Sequence, residues 1–487
     1  MIRTIIARSA GISLLLLVVL WSSVSCGLLE WPQGQREALW SLRSWADWRG
    51  GILTDVMVDY ETGRMTLARE LPILWVRTYN SEGSAQAAGV AIDSSGNIIV
   101  IGDADLGGAD HYLLVKYAPS GEPLWQRMVD IGQMDRGAGI AVDRWDNLFI
   151  IGSSLSPGLG SHYYLAKFSP YGDLIWERAY KPGKSNRAFG VAVGPQGDII
   201  VTGMCQLNGN YNYCTAKYDP RGRLLWERTY DGGWSDWPYG GAAVDPQGNI
   251  IVTGYTKPGP EKSIDYLTIK YSPQGDRLWV RSYDGGSSDE PRAIATDSQG
   301  NIIVAGMSYL EGTPAYYVIK YDPKGDELWA RSYDTEGSDW ATGVAIDSED
   351  NVIIAGHTEL VGEIYPHLIK YSPSGDFIWS RSLRGGRPTR IYGVAVDLNG
   401  AVVAAGLSGT AEEGYDLYLV KLSDTGLYHA SGSYLSPVHD FGRRISFAEL
   451  TVEAEMNGQS IEILLEVSDN GFRSVKDSIS IRVKEGI

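Results

Sequence analysis

Cysteine is scarce in this chain. Three occur in 487 residues, at Cys26, Cys205 and Cys214, so their positions matter more than their number. Positive charge is also short: 42 Lys and Arg face 59 Asp and Glu, for a net charge of −17. That balance excludes a nucleic-acid binder, which needs a basic surface, and works against an anionic membrane surface. No long charged run occurs, while Gly (59), Tyr (29) and Trp (16) are plentiful. Such a composition is ordered, turn-rich and all-β, not disordered. No Gly-x-Ser-x-Gly, His-Glu-x-x-His or phosphate-binding glycine loop is found in context.

A long apolar run is missing too. The longest candidate, Ile12 to Trp21, is too short for a comfortable membrane span. It follows Arg3 and Arg8 and precedes Ser22-Ser23-Val24-Ser25 and Cys26, the layout of an export signal over residues 1–26. Small residues before Cys26 also resemble a prokaryotic lipoprotein box, which implies lipidation of Cys26, although Ser23 stands where that box usually has Leu. An uncleaved anchor is the competing reading. All place the rest of the chain outside the cytoplasm, with membrane contact through the N-terminus alone. Residues 27–50 carry Leu39, Trp40, Leu42, Trp45 and Trp48 at rough helical spacing, which predicts a short amphipathic helix and linker.

What the chain has in abundance is repetition. Trp75, Trp125, Trp176, Trp226, Trp279, Trp329 and Trp379 are spaced 50, 51, 50, 53, 50 and 50 residues apart. Each unit contains four short apolar or alternating runs. Turns of the kinds Asp297-Ser-Gln-Gly-Asn301 and Asp322-Pro-Lys-Gly-Asp326 separate them, with Pro and Gly at hairpin positions. Four antiparallel strands per ~50 residues is a propeller blade. The lysine of the third strand recurs seven times, the last being Lys421, after which no Leu-Trp-x-Arg strand follows. One such strand stands too early, at Leu74-Trp-Val-Arg77. The reading is an all-β, seven-bladed propeller over residues 72–425, closed by an N-terminal outer strand, residues 73–79, pairing beside Lys421.

The pattern Ala-x-Asp-x-x-Gly-Asn-Ile-Ile-Val-x-Gly, then Asp-Tyr-x-x-Ile-Lys-Tyr-x-Pro-x-Gly, then Leu-Trp-x-Arg resembles the bacterial and archaeal SBBP propeller repeats. That resemblance implies an extracellular propeller and says little about ligand. A fainter likeness to pyrroloquinoline quinone dehydrogenase repeats lacks the cofactor and calcium constellation of those enzymes.

Residues present in all units are expected to serve the blade, because one binding site does not need seven copies of a side chain. The seven Trp pack between blades. The repeated Lys and Arg are expected to meet the Asp that ends the first strand, which Gly194 replaces in one unit. Function is expected where units differ, on the face carrying the longer second-to-third and fourth-to-first loops. There Gln86, Arg136, Arg187, Trp237, Glu290, Trp340 and Arg390 share one register. Ala85, Asp135, Asn186, Asp236, Asp289, Asp339 and Thr389 stand one residue earlier. With Trp234 and Tyr239 they make an aromatic and polar rim suited to a glycan or protein ligand. The competing reading is that Ser-Asp pairs here only form turns. An enzyme would have to use Asp236, Asp289 or Asp339 as acid or base.

Cys205 and Cys214 flank one second-to-third loop, and a disulfide between them would stabilise an exported chain by roughly 2–3 kcal/mol. No metal site is expected: His111 and His162 share a register with Asp265 and Asp416, but equal register in adjacent blades is not contact. No cofactor is expected either, calcium at Asp103, Asp105 and Asp110 being the one alternative.

Residues 430–487 alternate clearly, and 51–69 read as a hairpin, together one small discontinuous sandwich of jelly-roll-like kind with the propeller inserted. The functional expectation is an exported binding or adhesion module. A polysaccharide-active enzyme and a purely structural scaffold are the alternatives.

Overall fold

In the computed structural model, residues 72–424 are described except 81–82, 133–134, 311, 336, 385 and 411–413, together with strand segments outside that span. The lipobox-like segment with Cys26 and the expected helix within 27–50 lie outside the described residues. Among the described residues no helix is long and apolar enough to cross a membrane.

The repeat folds as seven four-stranded antiparallel blades, of which blades 3 and 4 are joined into one sheet by a parallel pairing of Tyr211 with Ser235. Blade 1 runs Ala85–Ile92, Ile98–Leu106, Ala109–Tyr117 and Pro123–Val129. Blades 2 to 6 repeat this order, opening at Arg136, Asn186, Ser235, Asp289 and Ser338. Blade 7 has three strands of its own, Thr389–Val396, Val402–Thr410 and Gly414–Leu422. Its fourth is Ile73–Tyr79, so the expected closure is what forms. The register shows how literal the substitution is. Lys421 lies opposite Trp75, as Lys116 lies opposite Trp125 and Lys270 opposite Trp279.

The first strand of each blade neighbours those of both flanking blades, and the seventh returns to the first. The approach is close. A Cβ on Gly190 would stand 2.6 Å from Gly241 Cα of the next blade, so glycine is there for backbone clearance. The second strands are continuous apolar runs, not alternating ones, because both of their faces are covered. Ile98, Ile99, Val100 and Ile101 are all fully buried.

The repeated polar residues clamp neighbouring blades. Lysine meets an Asp in every blade, among them Lys116 with Asp93 (2.7 Å), Lys270 with Asp245 (2.8 Å) and Lys320 with Asp297 (2.9 Å). Where Gly194 removes that Asp, Asp198 takes its place on Lys217 at 2.9 Å. In five blades the lysine Nζ also donates to a proline carbonyl in the next blade's turn, as Lys270 does to Pro323 (3.0 Å). The tryptophan Nε1 uses the same acceptor: Trp279 to Pro323 at 3.2 Å. The expectation that the repeated Arg also meets the Asp is wrong. Arg281 lies over the Trp279 ring (5.6 Å) and its Nε donates to Gly325 O (2.6 Å). The Asp is already saturated by Lys and by its own turn, and stacking keeps the Arg away from it.

The remaining described strands belong to a separate unit, residues 1–70 and 426–487. Ile52–Thr54 pairs with Ser431–Leu435 in a five-stranded antiparallel sheet completed by Phe447–Glu455, Ser460–Ser468 and Asp477–Lys484. Val56–Asp59 and Arg64–Leu67 form the expected hairpin. Both chain ends thus contribute to one sheet. Among the described residues no second layer completes a sandwich.

Candidate functional site

The first strands of blades 3 to 7 each carry an alternating pair of positions at the long-loop end. One position bonds back into its own loop and the other lies on the opposite face of the strand. The alternation separates the two registers read from the sequence.

Asp135, Asp236, Asp289 and Asp339 are fully buried and serve the loops that precede them. Asp236 accepts from Gly232 N (2.6 Å), and Asp289 from Gly285 N (2.7 Å) and Ser308 Oγ (2.5 Å). Asp339 accepts from Thr335 N (2.9 Å), with the Thr335 and Thr358 hydroxyls at 2.7 Å. Burial raises the Asp339 carboxyl to about 6 against these hydrogen bonds. Asn186 and Thr389 do the same work uncharged, bonding Gly183 N (2.8 Å) and Arg387 O (2.8 Å). A carboxylate enclosed by its own turn cannot reach a polysaccharide. The acid or base role for Asp236, Asp289 or Asp339 is therefore corrected: these residues hold loops.

The neighbouring register does converge. Trp237 and Tyr239 stack (5.5 Å), and Tyr239 lies 4.3 Å from Phe189. Tyr211 and Tyr255 flank Trp237 at 5.2 and 6.3 Å. Arg187 lies over Phe189 (5.3 Å) and Tyr239 (5.9 Å), and Arg292 covers Tyr239 at 4.7 Å while pairing with Glu290. Blades 3, 4 and 5 thus build one wall of aromatic rings capped by guanidinium groups. A second group stands in blades 6 and 7, where Trp340 stacks on His357 (5.3 Å) and His357 meets the edge of Tyr392 (6.5 Å). The positive charges of Arg390 and Arg292 both disfavour protonation of His357. Neither Arg187 nor Arg390 forms an ion pair among the described residues.

Three candidates stay outside. Trp234 sits in the loop, more than half exposed, held by its backbone N–H to Lys257 O. Arg136 leans on Asp110 at 3.6 Å. Gln86 donates to Asp103 (2.9 Å), whose carboxyl burial raises to about 6. Asp105 accepts from Gly108 N (2.8 Å) and so closes its hairpin turn. The expected disulfide between Cys205 and Cys214 is present, with Cα atoms 5.9 Å apart. His162 Nδ1 faces Gly160 O (3.0 Å), whereas His111 Nδ1 faces Asp130 at 3.7 Å.

The wall has a measurable pH signature. Burial, with Arg390 nearby, lowers His357 to about 3, so the folded protein keeps it neutral. The unfolded chain binds that proton near pH 6.5, so the stability contribution is full above 6.5 and is lost as pH falls toward 3. Asp103 and Asp339 act oppositely, gaining as pH falls from 6 toward 3.8. His357→Gln should therefore flatten the loss of melting temperature between pH 6.5 and 4, by about 1 kcal/mol or more in unfolding free energy. An unchanged slope would show that His357 already takes up a proton while folded.

Sequence reasoning missed the opposite mouth of the ring. A concavity of about 390 Å³ lies among the tight turns, lined by Arg144, Trp145, Gly194, Pro195, Thr296 and Ser298. Arg144 covers the exposed Trp145 at 4.1 Å. The signal was present: Arg144-Trp145-Asp146 departs from the repeated Asp-x-x-Gly turn, and Asp146 takes the glycine's positive φ of 63°. Phe189, Tyr211, Tyr255 and Arg292 were missed because contacts across blades have no signature in spacing.

No protein-family model matches the chain. It is 35% identical over 83 residues to an uncharacterised WD repeat-containing protein of Acanthamoeba polyphaga mimivirus, a stretch spanning 13% of this chain and 6% of that protein. Among solved structures it is similar to the Pan2 WD40 domain of Neurospora crassa, at 12% identity and a TM-score of 0.48, covering 74% of this chain and 98% of that one. A Xanthomonas campestris gluconolactonase is similar at 14% identity and a TM-score of 0.36, over 73% of this chain and 90% of that one. The propeller is read from the strand pairing itself, and the SBBP resemblance stands on its repeat residues alone.

Proposed function

We propose that this chain is a non-enzymatic, exported binding or adhesion protein whose ligand is a glycan or protein segment carrying carboxylates. Export, and attachment through Cys26, rest on the N-terminal residue pattern. The observation that carries the binding reading is the guanidinium-capped aromatic wall. Arg187 and Arg390 lack carboxylate partners among the described residues, in a chain of net charge −17. Arginine forks match carboxylates bidentately, and aromatic faces take the apolar face of a sugar or side chain. The enzyme reading loses its acid and base with the burial of Asp236, Asp289 and Asp339.

An array of neutral and acidic glycans and acidic peptides, probed with the exported form, tests this. Binding to uronate-bearing glycans or acidic peptides is expected, and Trp237→Ala should weaken it at least tenfold. Binding confined to neutral glycans would contradict the carboxylate requirement. No binding at all would favour the scaffold reading.

A further inference from the structure

We propose that His111, Asp130 and Asp135 hold a divalent transition-metal ion at the joint of blades 1 and 2. The three come from three elements. His111 lies near the start of the third strand of blade 1, and Asp130 follows its fourth strand. Asp135 precedes the first strand of blade 2. Their donor atoms lie within 4.8 Å of one another, with His111 Nδ1 and Asp130 Oδ1 3.7 Å apart. Two donors on a tetrahedral ion with bonds of about 2.1 Å stand roughly 3.4 Å apart, so small side-chain movements complete the site.

The second observation is an orphaned atom. Asp135 is fully buried; its Oδ2 accepts from Ile131 N (2.7 Å) and Gly132 N (3.2 Å), while its Oδ1 has no hydrogen-bond partner. A buried carboxylate oxygen left without a donor is costly, and a cation shared with His111 and Asp130 would satisfy it.

The repeat supplies internal comparisons. At the joint of blades 4 and 5 the corner is Asp265, Asp284 and Asp289, and Ser308 Oγ satisfies Asp289 Oδ1. At the joint of blades 5 and 6, Thr335 and Thr358 satisfy Asp339 Oδ1. The matching hydroxyl for Asp135 is Ser154, whose Oγ instead lies 3.5 Å from Ser156 Oγ. At the joint of blades 2 and 3, Lys181 and Asn186 stand where Asp130 and Asp135 would, and Lys181 donates to Leu159 O. At the joint of blades 6 and 7, Arg384 and Thr389 stand there, and Arg384 donates to Tyr365 Oη (2.7 Å). These two corners carry a protein cation in place of carboxylates. The blade 3 and 4 corner is closest in kind, since Asp236 Oδ1 and Asn212 Oδ1 are both unpartnered, but it has no imidazole.

The donor set names the ion class. One imidazole with two carboxylates suits Zn²⁺, Mn²⁺ or Co²⁺ better than Ca²⁺, whose ligands are oxygens. Asp130 is 71% exposed on its side chain, which leaves a path for the ion and room for a water ligand.

The test uses the full chain, stripped with chelator and titrated calorimetrically with ZnCl₂ and, separately, CaCl₂. One saturable Zn²⁺ per chain is expected, with a raised melting temperature. His111→Ala and Asp130→Asn should each weaken binding at least tenfold while leaving the zinc-free melting temperature near that of the parent. Both are preferred over Asp135 variants, which would loosen the loop as well. A Co²⁺ visible spectrum present in the parent and lost in His111→Ala would support the imidazole ligand. The absence of saturable Zn²⁺ binding to the folded chain, undiminished binding in both variants, or a preference for Ca²⁺ over Zn²⁺ would overturn the proposal.

Discussion

Lys270→Met should destabilise the propeller by about 3–5 kcal/mol, measured by chemical denaturation. Both partners of the Lys270–Asp245 pair are essentially inaccessible, with side-chain exposures of 2% and 0%. Removing the lysine leaves Asp245 charged and buried, and also strips a donor from Pro323 O. Asp245 cannot simply be neutralised in compensation. Its carboxylate also accepts from Gln247 N, Asn249 N and Asn249 Nδ2, which shape the turn. The double variant K270M/D245L should therefore recover only part of the loss. The corresponding Lys167→Met change should cost less, because Lys167 and Asp143 stand 3.7 Å apart and Lys167 is 12% exposed. A loss below about 1 kcal/mol for Lys270→Met would show that water reaches this pair in solution.

Trp379→Ala should cost about 3–5 kcal/mol, more than the same change at Trp279. Trp379 is fully buried and Trp329 nearly so at 7% exposed, whereas the other five, Trp279 among them, are half-buried. Its position explains the difference. For five of the other six, the tryptophan N–H meets a proline carbonyl in the next blade's third-to-fourth-strand turn. Blade 7 has no such turn, because its fourth strand comes from the other end of the chain. Asp424 stands in, accepting from Trp379 Nε1 (2.8 Å) and Lys370 Nζ (2.5 Å), and Ser423 N bonds Pro72 O (2.9 Å). Trp379 therefore packs where the ring is sewn shut, and its loss leaves a cavity and removes one donor from Asp424. Equal losses at Trp279 and Trp379 would contradict this account of the seam.

The blades were legible because repetition multiplies weak signals. One Lys-x-x-Pro-x-Gly turn means little, but its recurrence at ~50 residues identifies the hairpin and the strand it ends. The closing strand was legible because Leu74-Trp-Val-Arg77 is a fourth strand without a third. The Lys–Asp pairs followed from charge alone, even though Asp198 had to replace the missing partner at Gly194. Charge alone misled for the arginines, where stacking on Trp and a backbone carbonyl outbid the carboxylate. The site was half legible. The register of Arg187, Trp237 and Trp340 makes aromatic and guanidinium contacts, whereas the Asp register one residue earlier bonds its own loops. Strand alternation makes a single step decide between the two. Arg292, Phe189 and Tyr255 join the wall only through the packing of adjacent blades, and spacing within a unit carries no trace of that.

The central claim is that repeated residues hold the ring while the residues that differ bind. Binding and melting should be measured together on Arg187→Ala and Trp279→Ala, using the best acidic glycan or peptide from the array. The account predicts that Arg187→Ala loses at least tenfold in affinity with an unchanged melting temperature, and that Trp279→Ala lowers the melting temperature while the folded fraction binds as the parent does. Undiminished binding by Arg187→Ala would contradict it.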